Sequence, residues 1–330
     1  MTDAAFFSNS PEAIERVYAR SRREILEKEC RLYPVAITSA NLAEHLPALA
    51  DLEVIFSTWG MFAPADEQLA QMPNLKAVFY AAGSVQGFAR AFLERGVAVV
   101  SAWGANAVPV AEFTLAQILL ANKGYFRNIS DQRDDAKRKT AFVGKGNYGE
   151  TVALLGAGMI GRKLIELLRH FHLRVIVFDP FLSEEQAALL GVEKVSLEDA
   201  FARGMVVSNH IANLPSTVGM LKREHFSRMR ENAVFINTGR GETIIGEDLA
   251  DVLESRPDLM SLIDVLSMAM PQANPRLQAL QNVIISGHIA GSVHDEVLRM
   301  ADYMIEEFGA WRAGKPLRYG VTLEMLKTMA

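Results

Sequence analysis

Short apolar runs separated by helical stretches organise the first third of the chain. The runs are Val35 to Thr38, Glu53 to Ser57, Ala77 to Tyr80 and Val97 to Ser101. Helical patterns lie between them, as at Ala63 to Met72 and Val85 to Glu94. Strands that alternate with helices are typical of a parallel sheet, so this third predicts a small α/β unit.

The same alternation continues beyond residue 150. Six apolar runs predict strands there: Thr151 to Leu155, a run that stops at Asp179, Met205 to Ser208, Ala233 to Asn237, Met260 to Asp264, and Val283 to Ser286. Their number and the helical stretches between them fit a doubly wound parallel sheet. Because such sheets bind ligands at the carboxyl ends of their strands, the residues that follow these runs are candidate site residues.

Two long helical patterns flank this second region. Val110 to Asn122 is apolar nearly all round, which predicts a buried helix. A stripe at helical spacing consists of Val297, Met300, Met304, Phe308 and Trp311. We interpret these methionines as core packing rather than as a cofactor contact, because Met commonly fills irregular apolar gaps.

The most specific motif is a glycine-rich segment that follows the first strand of the second region. Gly156, Gly158 and Gly161 have the spacing GxGxxG and open a helical pattern. In such a unit the first glycine permits a tight turn, the second lets the backbone approach a pyrophosphate, and the third allows close packing of helix and strand. The helix N-terminus adds free N–H groups and a positive dipole. The segment therefore predicts a dinucleotide site.

Asp179 ends the next strand, eighteen residues after Gly161. A carboxylate at this place can accept hydrogen bonds from the adenosine ribose. It would also repel a 2′-phosphate, so the sequence favours NAD over NADP. Since Pro180 follows it, Asp179 has an alternative interpretation as a turn former.

Composition limits the class of protein. A chain of 330 residues exceeds what one core usually supports, so we expect two domains. Half of the residues are hydrophobic and 22% are charged, as in globular proteins. No apolar run reaches the roughly 18 residues of a membrane span, and the N-terminal segment lacks the pattern of a secretory signal. We therefore expect no membrane partner.

Cysteine and charge narrow the class further. Cys30 is the only cysteine, which excludes an intramolecular disulfide and makes a zinc cluster implausible, so we expect no metal and a cytoplasmic location. The formal net charge of −5 argues against a general nucleic-acid binder. The charged run Arg133 to Lys139 mixes both signs, which favours a solvated face or subunit rim over a phosphate site.

Two strand ends carry candidate chemistry. Arg240 follows the strand that ends at Asn237, and its guanidinium offers a bidentate fork for a carboxylate. His288 lies beyond the last predicted strand, and an imidazole there can exchange a proton with a substrate oxygen. A structural salt bridge for Arg240 and a structural role for His288 are the alternatives.

Together these motifs resemble the D-isomer-specific 2-hydroxyacid dehydrogenases, over most of the chain from about Val35 to the C-terminal region. The markers are GAGMIG with Asp179, Asn213 to Thr217, Phe235 to Leu249, Ile263 to Val265, and Gly287 to Gly291. The resemblance implies a nucleotide-binding domain over 111–294, inserted into a discontinuous substrate domain over 1–110 and 295–330. It implies a flavodoxin-like α/β fold for the smaller domain and a doubly wound Rossmann fold for the larger. It also implies a homodimer, with Val110 to Lys145 at the subunit interface.

The resemblance also implies roles for single residues. Arg240 would hold the substrate carboxylate and its 2-oxo oxygen, and His288 would act as general acid or base opposite the nicotinamide of NAD. The residues that match cofactor positions are Gly156, Gly158, Met159, Ile160, Gly161, Asp179, Pro215, Thr238, Gly239, Arg240, Asp264, His288 and Gly291.

Substrate contacts are expected from the first domain. Gly83, Ser84 and Val85 match a loop whose backbone N–H groups grip the substrate carboxylate, although an ordinary strand-to-helix turn is the alternative. Trp59 and Met61 follow a strand end where several family members have polar or basic residues. They predict either an apolar wall of the substrate pocket or core packing. An apolar wall would favour a bulky or uncharged 2-oxo acid over a phosphorylated one.

One departure from the family pattern concerns catalysis. The family's catalytic glutamate lies five residues beyond the aspartate that corresponds to Asp264, and Ala269 occupies that position here. Met268 and Met270 do not restore a carboxylate. Gln272 and His294 are the candidate substitutes, but neither is at the matching position. A missing glutamate would leave His288 less well aimed and lower the turnover.

The sequence as a whole predicts an NAD-dependent oxidoreductase that interconverts a small 2-oxo acid and its D-2-hydroxy acid. The alternative from another class is a nucleotide-sensing interaction module of the same fold with decayed catalysis. A dehydrogenase that acts outside the 2-hydroxy acids is a further alternative.

Overall fold

The computed structural model describes residues 1–131, 144–266 and 274–329. The chain divides into two compact units. Unit 1 combines Met1–Asn106 with Ser292–Ala330, and unit 2 is the continuous segment Ala107–Gly291. Each unit contains a sheet of mainly parallel strands, so the predicted α/β fold class is confirmed.

Unit 1 contains a six-stranded sheet in the order β13-β5-β4-β3-β1-β2, in which only the edge strand β13 is antiparallel to its neighbour. The strands are β1 (Thr2–Phe7), β2 (Cys30–Leu32), β3 (Val54–Ser57), β4 (Ala77–Tyr80), β5 (Ala98–Ser101) and β13 (Gly320–Val321). β3, β4 and most of β1 and β5 are buried, which explains their continuous apolar runs.

Helices pack around the sheet of unit 1. They are α1 (Pro11–Val17), α2 (Arg22–Glu29), α3 (Leu42–His45), α4 (Asp66–Leu69), α5 (Ala89–Leu93) and α14 (Val297–Arg312), with 3₁₀ turns at Leu46–Leu49, His294–Glu296 and Met325–Lys327. Four residues of the stripe on α14 are buried in the core, as their spacing predicts, and Trp311 is partly buried against it. The Phe308 ring lies 5.1 Å from Phe56 and 5.6 Å from Phe79 between centroids, both edge-on. The C-terminal helix therefore completes the core of the N-terminal sheet.

One strand prediction in this unit is wrong. Val35 to Thr38 does not form a strand; Ile37 makes a single parallel bridge to Phe7. The interior strand next to β3 is instead the N-terminal segment β1, which pairs with both β2 and β3. Two small alanines in β1 weaken its β-strand signal, although Phe6 and Phe7 are fully packed in the core.

Unit 2 contains a seven-stranded, wholly parallel sheet in the order β12-β11-β10-β9-β6-β7-β8. The strands are β6 (Tyr148–Leu155), β7 (His172–Phe178), β8 (Glu193–Lys194), β9 (Val206–Asn209), β10 (Val234–Asn237), β11 (Met260–Ile263) and β12 (Val283–Ile285). All six predicted strands are present, and the two-residue edge strand β8 adds a seventh. The order reverses between β6 and β9, which makes the carboxyl ends of these two strands the topological switch point.

Alternate side chains of this sheet pack into two separate cores. Val152 and Leu154 contribute to one core, whereas Ala153 and Leu155 contribute to the other. Because successive residues of a strand point to opposite faces, this division requires helices on both sides. They are α6 (Trp103–Asn122), α7 (Tyr125–Asp131), α8 (Met159–Leu168), α9 (Glu184–Leu190), α10 (Leu197–Arg203), α11 (Arg223–Phe226), α12 (Gly246–Ser255) and α13 (Pro275–Ala279), with a 3₁₀ turn at Gly241–Thr243.

Helix α6 is longer than the sequence pattern predicts. Its 20 residues are apolar enough to cross a membrane by length and composition, so the expectation that no segment reaches this length is wrong. In unit 2, however, Ala111, Ile118 and Ala121 of α6 pack in the core beneath the sheet. Burial of this face accounts for part of the apolar character of the helix.

The aromatic contacts of α14 lead to a stability prediction. Replacing Phe308 by Ala is expected to destabilise unit 1 by about 3–5 kcal/mol, because it leaves a cavity between Phe56 and Phe79. Urea unfolding without nucleotide measures the effect. Phe181→Ala is the matched control, since that ring is 72% exposed and its loss should change stability little. Equal midpoints for Phe308→Ala and the wild type would contradict the assignment of α14 to this core.

Candidate active site

The glycine-rich segment forms a tight turn between β6 and α8. Gly156 has a φ of 103°, and a Cβ there would lie 2.9 Å from the His210 carbonyl oxygen. A Cβ on Gly161 would lie only 2.1 Å from the Gly156 carbonyl oxygen. No atom lies within 4 Å of a Cβ built on Gly158, in the part of the chain that the structure describes. Two glycines are thus required by packing, and the third leaves space that a ligand can use.

Met159 and Ile160 form the first turn of α8, directly after the glycine-rich turn. Met159 is 48% exposed, whereas Leu164 and Ile165 further along the helix are buried. The ten-residue helix therefore anchors its apolar face in the core and leaves its N-terminus accessible beside Gly158.

Asp179 binds this turn with its side chain. One carboxylate oxygen accepts the Ala157 N–H at 2.7 Å, and the other accepts the N–H groups of Phe181 at 2.8 Å and Leu182 at 3.1 Å. The bonds to Phe181 and Leu182 are those of a turn former, and the bond to Ala157 joins the end of β7 to the glycine-rich turn. The carboxylate thereby places negative charge beside the turn.

The sequence interpretation missed Arg162, which follows Gly161 directly. Its Nε donates to the Ala157 carbonyl oxygen at 2.8 Å, so the guanidinium lies beside the glycine-rich turn with further N–H groups on an exposed side chain. A basic residue in the first turn of the helix was the signal that could have identified it.

His210 follows β9 at the switch point of the sheet. Its Nε2 lies 2.9 Å from the Ser208 hydroxyl, and its backbone N–H donates to the Leu155 carbonyl oxygen. Burial lowers the pKa of His210 to about 4, so the ring is neutral at pH 7. The next segment turns at Pro215, which is exposed, and the Thr217 hydroxyl donates to the Ala212 carbonyl oxygen to close that turn.

Arg240 lies on the loop that follows β10 and is half-buried. Its Nη1 donates to the Gly239 carbonyl oxygen at 3.1 Å, and burial lowers its pKa from the usual value, while the charge of Glu242 acts in the opposite direction. Thr238, two residues earlier, lies 2.9 Å from Thr114 between hydroxyl oxygens. A Cβ on Gly239 would lie 2.9 Å from the Asn209 carbonyl oxygen, so this loop packs directly on the end of β9.

Three fully buried polar side chains lie under the Arg240 loop. Asn209 Nδ2 donates to Asn237 Oδ1 and to Thr243 Oγ1, both at 2.9 Å. Thr243 Oγ1 in turn donates to the Arg240 carbonyl oxygen at 2.8 Å, and Asn237 Nδ2 donates to the Val265 carbonyl oxygen at 2.9 Å. We call Asn209, Asn237 and Thr243 the amide network. It joins the ends of β9, β10 and β11.

His288 is exposed on the loop that follows β12, with a φ of 64° directly after Gly287 at 80°. Asp264, at the end of β11, accepts hydrogen bonds from this loop with both its backbone carbonyl and its side-chain carboxylate. Its backbone carbonyl accepts the His288 N–H at 2.7 Å. Its buried carboxylate accepts hydrogen bonds from the Ser286 hydroxyl at 2.6 Å and from the N–H groups of Ile289 at 2.8 Å and Ala290 at 3.0 Å. Gly291 then ends unit 2.

In unit 1, Trp59 and Met61 lie on a turn after β3 and pack partly against the core. The Ser8 hydroxyl donates to the Trp59 carbonyl oxygen at 2.7 Å, and a Cβ on Gly60 would lie 2.5 Å from that hydroxyl oxygen. The Arg16 guanidinium lies 5.4 Å above the Trp59 ring, a cation–π contact that the sequence interpretation missed. Trp59 therefore combines core packing with a positively charged neighbour.

Gly83 and Ser84 follow β4 in the same unit. The Ser101 hydroxyl contacts the carbonyl oxygens of Ala82 at 2.8 Å and Gly83 at 2.6 Å, which fixes the turn. The side chain of Val85 is fully buried in the core, so its backbone alone is available to a ligand.

Several sequence predictions lie outside the described residues. They concern Ala269, Met268, Met270, Gln272 and the charged run Arg133 to Lys139. His294, the other candidate substitute, is exposed on a 3₁₀ turn of unit 1. The carboxylate of the next residue, Asp295, pairs with the Arg20 guanidinium at 2.8 Å. In the ranges that the structure describes, no group of three or more His, Cys, Asp or Glu residues could hold a metal.

Comparison with known proteins identifies the class and then the family. The fold of unit 2 is that of an NAD-binding dehydrogenase domain, and the family model of the D-isomer-specific 2-hydroxyacid dehydrogenase NAD-binding domain matches residues 115–290. These residues are more than half of the chain. The chain therefore belongs to the D-isomer-specific 2-hydroxyacid dehydrogenases.

Several curated proteins are similar in sequence to this chain, and they have different names. D-3-phosphoglycerate dehydrogenase of Archaeoglobus fulgidus is 25% identical over 262 residues, 79% of this chain and 50% of that protein. The Mycobacterium tuberculosis H37Rv protein of the same name is 30% identical over 227 residues, 68% of this chain and 43% of that protein. The chain thus spans about half the length of these relatives. The putative 2-hydroxyacid dehydrogenase YoaD of Bacillus subtilis is 26% identical over 260 residues, 76% of this chain and 75% of that protein.

Solved structures share the fold. A phosphoglycerate oxidoreductase from Rhizobium etli matches with a TM-score of 0.80 and 23% identity over 99% of this chain and 100% of that one. The apo form of D-mandelate dehydrogenase from Rhodotorula graminis matches with a TM-score of 0.79 and 19% identity over 97% of each chain.

The glycine-rich turn yields a paired prediction. Gly161→Ala should destabilise unit 2, because its Cβ would meet the Gly156 carbonyl oxygen. Gly158→Ala should leave stability unchanged but weaken NADH binding, since its methyl group enters the open space of the turn. Thermal unfolding and NADH fluorescence titration measure the two effects. Equal NADH affinity in Gly158→Ala and the wild type would contradict the role given to this glycine.

His210 yields a pH prediction. Its pKa is about 4 in the folded state and 6.5 in the unfolded state, so the unfolded chain binds more protons between these values. The contribution of the neutral His210 ring to the free energy of unfolding is complete above pH 6.5 and is lost as the pH falls towards 4. The free energy of unfolding should fall by about 2 kcal/mol between pH 7 and pH 5 for this reason. His210→Gln should remove this part of the slope in urea unfolding, whereas the exposed His170→Gln should not. The prediction is refuted if the free energies of unfolding of His210→Gln and the wild type change with pH in the same way.

Proposed function

We propose that this protein is an NAD-dependent oxidoreductase that interconverts a small 2-oxo acid and its D-2-hydroxy acid. Arg240 binds the substrate carboxylate and the 2-oxo oxygen, and His288 is the general acid or base. The observation that carries the proposal is the anchoring of both loops by buried polar groups at one edge of the sheet. Thr243 holds the Arg240 loop, and Asp264 holds the His288 loop.

The neighbouring strands support a common site for these side chains. β10 pairs with β11 and β11 pairs with β12, all parallel, so the two loops begin at the same sheet edge. Adjacent strands lie about 4.8 Å apart, which separates the ends of β10 and β12 by roughly 10 Å. A guanidinium on a long side chain and an imidazole can both reach a small substrate across that span.

The residues present fit a dinucleotide. A Cβ on Gly158 meets no described atom, and the free N-terminus of α8 and the Arg162 guanidinium lie beside the turn. Helix N-termini and arginine are both suited to a pyrophosphate. The anchored carboxylate of Asp179 supports NAD over NADP, because a 2′-phosphate beside it would face a like charge.

The chemistry divides between the bound nicotinamide, which supplies or accepts the hydride, and two side chains. Arg240 orients the 2-oxo acid through its carboxylate and draws electron density towards the carbonyl oxygen. His288 donates a proton from an imidazole nitrogen to that oxygen, and in the oxidative direction it accepts the proton from the hydroxyl. Asp264 holds the loop of His288 without contacting the reacting atoms in this scheme.

The proposal extends to substrate contacts, oligomeric state and location. Trp59, Met61 and the backbone of Gly83, Ser84 and Val85 stay candidate substrate contacts, as the family resemblance implies. Exposed apolar side chains on α6 and α7 support a homodimer; they are Leu120 at 38%, Tyr125 at 46% and Ile129 at 52% exposed. A cytoplasmic location stays a prediction.

A substrate screen with NADH and NADPH in parallel tests the function. The wild type should oxidise NADH with glyoxylate, hydroxypyruvate or a branched 2-oxo acid. His288→Gln should lower kcat by about 10²–10⁴-fold, and Arg240→Ala should lower kcat/KM by about 10²–10³-fold, while NADH still binds at the unchanged glycine-rich turn. The exposed residues His170 and Arg228 provide the matched controls His170→Gln and Arg228→Ala.

Two results would contradict the proposal. Full activity of Arg240→Ala would remove the assigned mechanism. Tight NADH binding without turnover of any 2-oxo acid would favour the nucleotide-sensing module instead.

A further inference from the structure

We infer that Asn209 and Thr243 are positioning residues that set the Arg240 loop, and that the Thr243 hydroxyl is the direct link. The inference rests on the proposed function for its catalytic consequence. Its structural part stands on the hydrogen bonds of unit 2 alone.

Thr243 is fully buried and uses its hydroxyl as both acceptor and donor. Its Oγ1 accepts from Asn209 Nδ2 at 2.9 Å and donates to the Arg240 carbonyl oxygen at 2.8 Å. Because the acceptor role fixes the lone pairs of the hydroxyl, its proton is directed towards Arg240. The backbone of Arg240 is therefore tied through the Thr243 hydroxyl to Asn209, at the end of β9.

Asn209 is fully buried and its amide is fully engaged. Nδ2 uses both N–H groups, one for Asn237 Oδ1 and one for Thr243 Oγ1, while Oδ1 accepts the Ile211 N–H at 3.1 Å. A buried amide with every donor satisfied has one orientation, since any rotation leaves a polar group without a partner. Asn209 thus provides a rigid reference point for Thr243.

Asn237 makes further hydrogen bonds that fix the neighbouring loop as well. Its Oδ1 lies 3.3 Å from the Gly239 nitrogen, which donates to it, and its Nδ2 reaches the carbonyl oxygen of Val265, next to Asp264. The amide network therefore fixes the Arg240 loop and the start of the segment after β11 together. Packing adds to this constraint, because Gly239 leaves no room for a side chain against the Asn209 carbonyl oxygen.

The hydrogen bonds of the Arg240 side chain show why its loop needs such a positioning contact. Arg240 makes only a 3.1 Å bond to the adjacent Gly239 carbonyl oxygen among the side-chain hydrogen bonds of the described residues. Its direction is consequently set through its backbone. A shift of about 1 Å in a substrate-binding group can lower the rate about 100-fold, so the hydrogen bond to the backbone of Arg240 has a catalytic consequence.

Thr243→Val and Thr243→Ser form the central experiment. Valine keeps the shape and removes the hydroxyl, and serine keeps the hydroxyl and removes a methyl group. Thr243→Val should raise KM for the 2-oxo acid or lower kcat so that kcat/KM falls roughly 10- to 100-fold. KM for NADH should stay within about twofold, since the hydrogen bonds of the Thr243 hydroxyl in the described residues go to Asn209 and Arg240 and not to the glycine-rich turn. Thr243→Ser should restore most of the activity.

Amide hydrogen exchange of residues 238–243 supplies a readout that does not depend on activity. Thr243→Val should exchange faster there than the wild type, and Thr243→Ser should not. Ser261→Ala is the matched control, because Ser261 is buried on the adjacent strand β11 and its hydroxyl makes no hydrogen bond to the described residues.

Thr243→Cys covers the case in which Thr243→Val does not fold. A thiol is a weak acceptor and a weak donor, so it gives the Asn209 N–H a partner but holds the Arg240 carbonyl oxygen less firmly than a hydroxyl does. Folding should recover, and kcat/KM and exchange should remain altered.

Two outcomes would overturn the inference: wild-type kinetics and exchange in Thr243→Val or, where that variant does not fold, in Thr243→Cys; or equal impairment in Thr243→Ser and Thr243→Val. If the wild type itself reduces no 2-oxo acid, the proposed function fails, and the exchange experiment still decides whether Thr243 sets the loop.

Discussion

The hydrogen bond between the buried side-chain amides of Asn209 and Asn237 is the constraint on which the candidate site depends. Both residues end interior strands of a parallel sheet, where backbone N–H and C=O groups leave the ladder and water is excluded. Polar groups in such a place must find partners, because an unsatisfied one costs about 1–3 kcal/mol. The amides supply these partners to Gly239, Ile211 and Val265. The loops at this edge are rigid because their polar atoms have no alternative arrangement.

Asp264, at the end of the next strand, also supplies hydrogen-bond partners to the polar groups of a loop. Its carboxylate is buried, yet three hydrogen-bond donors around His288 converge on it. A buried charge is tolerated when donors of this number surround it. These bonds also hold His288 at a positive φ, a conformation that non-glycine residues adopt only when their surroundings impose it. The loop of the imidazole is thus shaped by an aspartate of the fold, independently of what occupies position 269.

Much of the fold could be predicted from the sequence because parallel strands buried on both faces produce continuous apolar runs. Every predicted strand of unit 2 is present for this reason. The strand at Thr2–Phe7 was missed because Ala4 and Ala5 carry little β-strand signal, and Val35 to Thr38 was wrongly predicted because an apolar run alone does not supply a pairing partner. The glycine spacing predicted the tight turn between β6 and α8, which is present. The amide network could not be predicted, because Asn209 and Thr243 are 34 residues apart and only the strand order brings them together.

The route of the chain through unit 1 affects its folding during synthesis. The sheet of this unit is nearly complete by Ser101, but Phe308 and its neighbours on α14 occupy the centre of its aromatic core. A ribosome makes the whole of Ala107–Gly291 before it makes that helix. Domains usually acquire structure as they emerge, N-terminal part first. In this protein the order is reversed: the inserted unit has all of its own core residues first, and the sheet of the N-terminal unit keeps an apolar face uncovered until α14 has been made.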